Sequence, residues 1–382
     1  MNSQAREPEP ARNDHAGLAC AIEKLTPDIP TDWRAAWHRA ADAGALRLMA
    51  QDAGMDAPAD ALGCVRAMAE IGTACTDNGF TMGLNSHIWT VQQPIAAFGS
   101  ADQKADWLPA LESGRKIGAY ALTEEQSGSD AMALESRAQA QDGGYLLNGA
   151  KTYVGMAPDC DVALVFASTA PERKSWGVSV FLVHRDDPGF HTDNKQEKIG
   201  LTTLPMGRIT LQDCWIPADR LLGAEGTGAR IFQATLDWER AFILAPHVGA
   251  MARQLRECTE FATARKTFGR PIIEHQSVAN RLADMSVRLE TSRLMMEQAA
   301  RAYDAGKPLS RLAAMTNLHV SEAFLASSTD AVRTFGGAGY LASSQAGTDL
   351  TDALGGVIYS GTSDVQRQII ARLTAQNTGK IQ

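Results

Sequence analysis

The hydrophobic period changes twice along the chain, and that change constrains its fold more than any other feature. From Gly17 to about Lys116 apolar residues recur at helical spacing, as in DWRAAWHRAADAGALRLMA and DALGCVRAMAEIGTAC. From about Ala119 to Gly228 short β-type runs replace it: GGYLLNGAKTYVG, DVALVFAST, WGVSVFLVHR and RITLQDCWIP. Asn148-Gly149 lies within the first of these and carries a hairpin signal, because both central positions of a type I′ turn need positive φ. After GAEGTGAR the helical period returns near 229–265, 275–305 and 308–335, with a last helix near 363–375. This order predicts an α+β chain: helical over 17–118, β over 119–228 and helical again over 229–382. Residues 1–16 are polar, carry two prolines and show no period, so a mobile tail is expected there.

Composition narrows the function classes. A net charge of −8 opposes generic nucleic-acid binding, which needs a basic surface to displace counterions. No window reaches the roughly 18 apolar residues of a membrane span. The first ten residues lack the basic start and apolar run of a signal peptide, so a cytoplasmic protein is expected, with no membrane partner. The six cysteines include no C-x-x-C pair and the eight histidines no H-x-x-x-H pair, so neither a metal site nor a disulfide framework is indicated. GGAGYLA at 336 follows a helical run rather than a strand, so it fails the context that a dinucleotide fingerprint requires.

The most specific local signal is Tyr120-Ala-Leu-Thr-Glu-Glu-Gln-Ser-Gly-Ser-Asp130, whose small and hydroxyl residues can offer backbone N–H groups to an anionic or amide-rich ligand. Three further stretches accompany it: Arg265-Lys-Thr-Phe-Gly-Arg-Pro-Ile-Ile-Glu-His-Gln276, Phe335-Gly-Gly-Ala-Gly-Tyr340 and Ile358-Tyr-Ser-Gly-Thr-Ser-Asp-Val-Gln-Arg367. Together, and over nearly the whole chain, they resemble the acyl-CoA dehydrogenase superfamily. That resemblance implies the family fold, with a β-barrel-like central domain and a C-terminal four-helix bundle, and it implies FAD. Tyr120, Leu122, Thr123, Ser129, Tyr153, Gly155, Thr362 and Asp364 match positions that hold the cofactor in the same subunit. Arg265, Phe268, Gln276, Gly336 and Gly337 resemble residues that reach a neighbouring subunit's FAD, which implies a homotetramer built as a dimer of dimers. The residue types suit the task, since arginine offers phosphate a fixed fork and paired glycines admit close approach of a cofactor.

The sequence departs from the family pattern in two places. The common catalytic glutamate lies in Tyr-Glu-Gly-Thr, whereas this chain reads Tyr359-Ser360-Gly361-Thr362. A serine hydroxyl is too weak a base to replace it, and Ser363-Asp-Val-Gln366 has the form of a capping box that would leave Ser360 to ordinary loop bonding. A substitute lies in Leu236-Asp-Trp-Glu-Arg-Ala-Phe-Ile243. On a helix, Glu239 shares a face with Phe232, Leu236, Phe242, Ile243 and Pro246, where desolvation raises a carboxyl pKa. Asp237 and Arg240 can turn to other polar groups. The resemblance supports Glu239, because isovaleryl-CoA and long-chain members, and relatives acting on carrier-bound prolyl thioesters, carry their base at the matching position. The second departure is Gly155, which stands where a threonine hydroxyl commonly meets the flavin.

The chemistry implied is FAD-dependent removal of hydrogen from the α and β carbons of a thioester. Glu239 takes the α-proton, the Ser360 backbone N–H helps hold the thioester carbonyl, and Arg240 and Ser129 contact substrate. The Glu239–Ser360 pattern with Leu236-Asp-Trp-Glu-Arg240 resembles carrier-protein dehydrogenases more than the common fatty-acid enzymes, and that resemblance implies an acyl or aminoacyl group, prolyl or short acyl, on a carrier protein in secondary metabolism. A short or branched acyl-CoA is the alternative, and electrons pass to a flavoprotein or to oxygen. Gly155 keeps a flavin oxidase or monooxygenase of the same fold in view, and the missing glutamate at 360 a non-catalytic flavoprotein.

Overall fold

The computed structural model describes residues 15–26, 29–50, 60–193 and 195–377, so most of the segment expected as a tail lies outside the described residues. Helices α1 (His15–Glu23), α2 (Trp33–Asp42), α3 (Ala61–Ala74), α4 (Asn78–Ser86), α5 (Gln93–Phe98) and α6 (Ala101–Glu112) form the N-terminal part. Asp32, Asp60 and Asp77 start α2, α3 and α4 by accepting the N–H of Ala35, Gly63 and Phe80, groups a helix's first turn leaves without partners. Between α4 and α5 a fully buried π-helical turn, His87–Gln92, carries Trp89 into the core.

The central strands are β1 (Gly118–Ala121), β2 (Arg137–Gln141), β3 (Gly144–Gly155), β4 (Val162–Ser168), β5 (Val178–His184), β6 (Phe190–Thr192), β7 (Met206–Pro217) and β8 (Leu221–Leu222). They follow the order β6-β7-β3-β2-β4-β5-β8, with β1 added in parallel to β4. A single pairing, Arg137 with Ser168, joins the β2 and β4 halves. β4 and β5 are apolar runs buried on both faces, apart from the half-buried His184 at the end of β5, whereas β7 alternates inward and outward side chains.

The hairpin expected at Asn148-Gly149 forms six residues earlier. β2 turns into β3 at Asp142-Gly143, both at positive φ (47° and 76°), with Gln141 opposite Gly144. Asp-Gly supplies the same turn chemistry as Asn-Gly and stands at the point where the two strands end. Asn148-Gly149 is instead an irregularity within β3, where the register against β7 slips between Leu147 and Gly149.

The C-terminal part comprises α7 (Gly228–Phe242), α8 (Ala245–Ala264), α9 (Gln276–Asp304), α10 (Ser310–Phe335), α11 (Gln345–Gly356) and α12 (Ser363–Asn377). A two-strand hairpin, β9 (Lys266–Thr267) with β10 (Arg270–Pro271), lies between α8 and α9. The stretch expected as one helix over 229–265 is two. Pro246 lacks an N–H and sits in the first turn of α8, so the chain breaks at Ile243–Leu244 and Pro246 leaves the helix that carries Glu239. One hydrophobic core runs through all three parts, from Trp37 and Trp89 through Leu147 and Phe181 to Phe242 and Val320. Among the described residues no helix is long and apolar enough to cross a membrane.

Candidate active site

Glu239 lies in the last turn of α7, and the packing around that turn fixes its place. Trp89 meets Phe242 with ring centroids 4.4 Å apart, Tyr303 stands edge-on to Phe242 at 5.8 Å, and Trp238 stacks on Phe98 at 6.1 Å. Below this aromatic cluster, buried Asn85 donates Nδ2 to the carbonyls of Phe242 (2.8 Å) and Ile243 (2.9 Å), groups that the break in the helix would otherwise leave unsatisfied. Burial pushes the Glu239 carboxyl above its ordinary value, and the Ser360 hydroxyl and the Arg240 charge oppose that rise only in part. Asp237, two residues earlier, turns away to accept from Ser310 (2.5 Å) and Gln233 (3.0 Å).

Ser360 comes from the loop between α11 and α12 and meets α7 at two points. Its hydroxyl donates to Oε1 of Glu239 at 2.7 Å, and its carbonyl accepts from Nε of Arg240 at 3.2 Å. Buried Gln366 reaches back from α12 to the carbonyls of Ser360 (2.9 Å) and Gly361 (2.8 Å). The capping box expected of Ser363-Asp-Val-Gln366 is therefore not formed. Thr362 Oγ1 accepts the N–H of Val365 at 3.3 Å, and the Gln366 amide is spent on the loop carbonyls instead. No partner is found for the Ser360 main-chain N–H among the described residues. The Tyr120 and Tyr359 hydroxyls are buried, and burial raises both phenols, helped by the Glu239 charge at Tyr120 and by the Asp352 and Glu239 charges at Tyr359.

The signature after β1 is held from below by a buried ion pair. Lys151 Nζ lies 2.6 Å from Oε1 of Glu124 and donates to the carbonyl of Leu122 at 3.1 Å. Glu124 also accepts the Ser136 hydroxyl (2.5 Å) and the N–H groups of Glu135 and Ser136. Burial would raise the Glu124 carboxyl, but Lys151 and these donors hold it low, while burial brings the Lys151 ammonium down to about 8. Thr123 is tied to β3 through its carbonyl, which accepts Thr152 N–H at 2.9 Å, and Ser129 is exposed. Next to Thr152, Tyr153 takes φ +55° and shows 63% of its surface. A Cβ at Gly155 would meet nothing within 4 Å, so the chain leaves open space at that position.

The remaining expected cofactor residues gather elsewhere. Arg265 follows the last residue of α8, a helix of 20 residues and so roughly 30 Å long, which begins after the break that ends the Glu239 helix. Phe268 tips the β9–β10 hairpin at φ +51° with 97% exposure, and Gln276 opens α9. Phe335 packs on Phe261 at 4.9 Å, which brings Gly336 and Gly337 to this same end of the bundle. Gly336 has φ +62° and ψ −133°, a glycine conformation, and neither glycine has a neighbour where a Cβ would stand. Thr362 caps α12, and exposed Asp364 lies 3.5 Å from Arg367. Glu239, Arg240, Ser360 and Tyr120 thus converge, whereas Arg265, Phe268, Gln276, Gly336 and Gly337 form a separate surface.

Known proteins match the chain in all three of its parts. The descriptions "Acyl-CoA dehydrogenase, N-terminal domain", "middle domain" and "C-terminal domain" match residues 16–115, 119–214 and 226–374 in that order. The chain belongs to the acyl-CoA dehydrogenase family. It is 42% identical to an L-prolyl-[peptidyl-carrier protein] dehydrogenase of Pseudomonas fluorescens over 82% of each chain. It is 37% identical to the human mitochondrial short-chain specific acyl-CoA dehydrogenase, over 86% of this chain and 80% of that one. Among solved structures, "PigA with FAD and proline" superimposes with a TM-score of 0.89 at 32% identity, covering 98% of this chain and all of PigA. Within this family fold, three residues were not singled out by the sequence: Gln366, read as a cap, Glu124, which lies in the Tyr120–Asp130 signature but was given no role of its own, and Asn85, for which no local pattern exists.

Proposed function

We propose that this chain is an FAD-dependent dehydrogenase of an acyl or aminoacyl thioester, prolyl or short acyl, presented on a carrier protein, with Glu239 as the base. The observation that carries this reading is the pairing of Glu239 with Ser360: the loop position has no carboxylate, and the carboxylate on α7 lies in hydrogen-bonding reach of that loop. The likeness to prolyl-carrier dehydrogenases supports the substrate class.

The open space at Gly155, the exposed Tyr153 ring and Ser129, and the anchored Leu122–Thr123 backbone suit a planar, amide-bearing cofactor, so Tyr120, Leu122, Thr123, Ser129, Tyr153, Gly155, Thr362 and Asp364 are assigned to hold FAD. Bound there, FAD supplies two-electron acceptance. Glu239 takes the α-proton, and its desolvated site makes it a stronger base than a solvated carboxylate. The Ser360 N–H is available to the thioester carbonyl, where negative charge grows as that proton leaves. Arg240 holds the loop in place through the Ser360 carbonyl. The surface around Arg265, Phe268 and Gln276 is separate from the Glu239 pocket, and the exposed Phe268 ring on it supports a cofactor shared between subunits of a homotetramer.

Anaerobic flavin bleaching by prolyl and short acyl thioesters, each offered on CoA and on a carrier protein, tests the proposal. Bleaching by carrier-bound substrates alone is expected, and Glu239→Gln should slow it by about 10²- to 10⁴-fold. Bleaching by CoA thioesters instead would make the chain a short-chain acyl-CoA dehydrogenase. Full-rate bleaching in Glu239→Gln would remove the base from residue 239.

A further inference from the structure

Ser360 occupies a backbone conformation that a serine takes only under constraint. Its φ is +60°, in the left-handed region, which costs a non-glycine residue stability. Three contacts hold it there: the carbonyl bonds from Arg240 and Gln366, and the hydroxyl bond to Glu239. Glu239 and Arg240 are consecutive on α7, so one turn of one helix grips both the side chain and the main chain of this residue. Capping does not explain the arrangement, because Thr362 caps α12.

The consequence falls on the carboxylate. Oε1 of Glu239 is engaged by the Ser360 hydroxyl, and no hydrogen bond to Oε2 is found among the described residues. A carboxylate with one oxygen tied has a fixed plane, and the other oxygen is the one left to accept a proton. We propose that Ser360 is a positioning residue for Glu239: its hydroxyl holds the carboxylate by Oε1 and leaves Oε2 as the proton acceptor. This rests on Glu239 being the base.

The other titratable or charged groups facing Glu239 are Arg240 on its own helix, Tyr120 from β1 and Tyr359 from the α11–α12 loop. Arg240 acts on the carboxylate through its charge and on Ser360 through the carbonyl, so removing the serine hydroxyl leaves its charge in place. Both phenols are buried and raised, so they stay neutral through the pH range of the test.

The test uses flavin-loaded enzyme with Ser360→Gly, which deletes the hydroxyl and suits positive φ, and Ser360→Ala, which deletes it and keeps the Cβ. Both are also made in the Glu239→Gln background. Hydrogen bonds to charged groups are of a strength that moves a pKa by about one to two units, so the acid limb of kcat/KM should move up by that amount in both variants. The kcat at its plateau should fall about tenfold or more while KM changes little. In Glu239→Gln the added serine change should have no further effect, because its action runs through the carboxylate. Isotope-edited infrared titration of the Glu239 carboxyl should show the same displacement without turnover. An unmoved acid limb and infrared midpoint in both serine variants, with Glu239→Gln still inactive, would overturn the proposal and leave the base standing. Full activity in Glu239→Gln would overturn the base itself.

Discussion

Lys151 and Glu124 are sealed together beneath the flavin signature, with Nζ 2.6 Å from Oε1 and both side chains almost wholly out of solvent. The pair joins β3 to the loop after β1, and the same carboxylate gathers Ser136, so three segments depend on one charge balance. Removing one member strands the other in a medium that solvates it poorly. Lys151→Met should destabilise the protein by about 3–5 kcal/mol, whereas Lys151→Met with Glu124→Gln should cost less than the single change. Urea unfolding of the four proteins of the cycle measures both, and a single variant within about 1 kcal/mol of the parent would contradict the account.

Gly149 tests the same region from the backbone side. A Cβ there would stand 2.8 Å from Ser136 Cα, displacing the residue whose hydroxyl holds Glu124. Gly149→Ala should cost about 1–3 kcal/mol through overpacking and lower flavin occupancy. Gly143→Ala in the hairpin turn meets no neighbour and carries only the positive-φ penalty of roughly 1–2 kcal/mol, with occupancy unchanged. Flavin absorbance per protein after gel filtration separates the two; equal occupancy losses would mean that Ser136 is not the link.

Asn85 sets the end of α7. Asn85→Ala leaves the buried carbonyls of Phe242 and Ile243 without their donor, which should cost about 1–3 kcal/mol. Because Glu239 lies one turn before that break, kcat should fall as well. Stability loss with unaltered kcat would show that the helix end does not position the base.

Asp352 gives a pH-dependent stability of known sign. Buried on α11, it accepts from Leu201 N–H and Asn78, with Asp349 and Asp77 nearby, and burial lifts its carboxyl to about 6. A raised folded pKa contributes stability that is present below the unfolded value of about 3.9 and is lost as pH rises to about 6. The difference in unfolding free energy between Asp352→Asn and the parent should therefore move in favour of the variant by about 2–3 kcal/mol from pH 4 to pH 7. Urea melts at unit pH steps read it, and a constant difference would refute it.

The sequence by itself determined the class of fold and the residue carrying the carboxylate. Hydrophobic period is local, so the α, β, α order followed from spacing alone, and Glu239 stood out because an ionisable side chain on an apolar helix face is conspicuous in one dimension. The choice of Asp142-Gly143 over Asn148-Gly149 was decided by where the paired strands end, and the break between α7 and α8 by Pro246, which the helical period over 229–265 had passed over. Tertiary structure alone made Ser360 the partner of Glu239. The two are 121 residues apart, and Gln366, which matches a capping pattern locally, finds two buried carbonyls within reach only after α7 and α12 have packed. A hydrogen bond between distant segments leaves no periodic trace in the chain, because its geometry exists only once the core has brought the segments together.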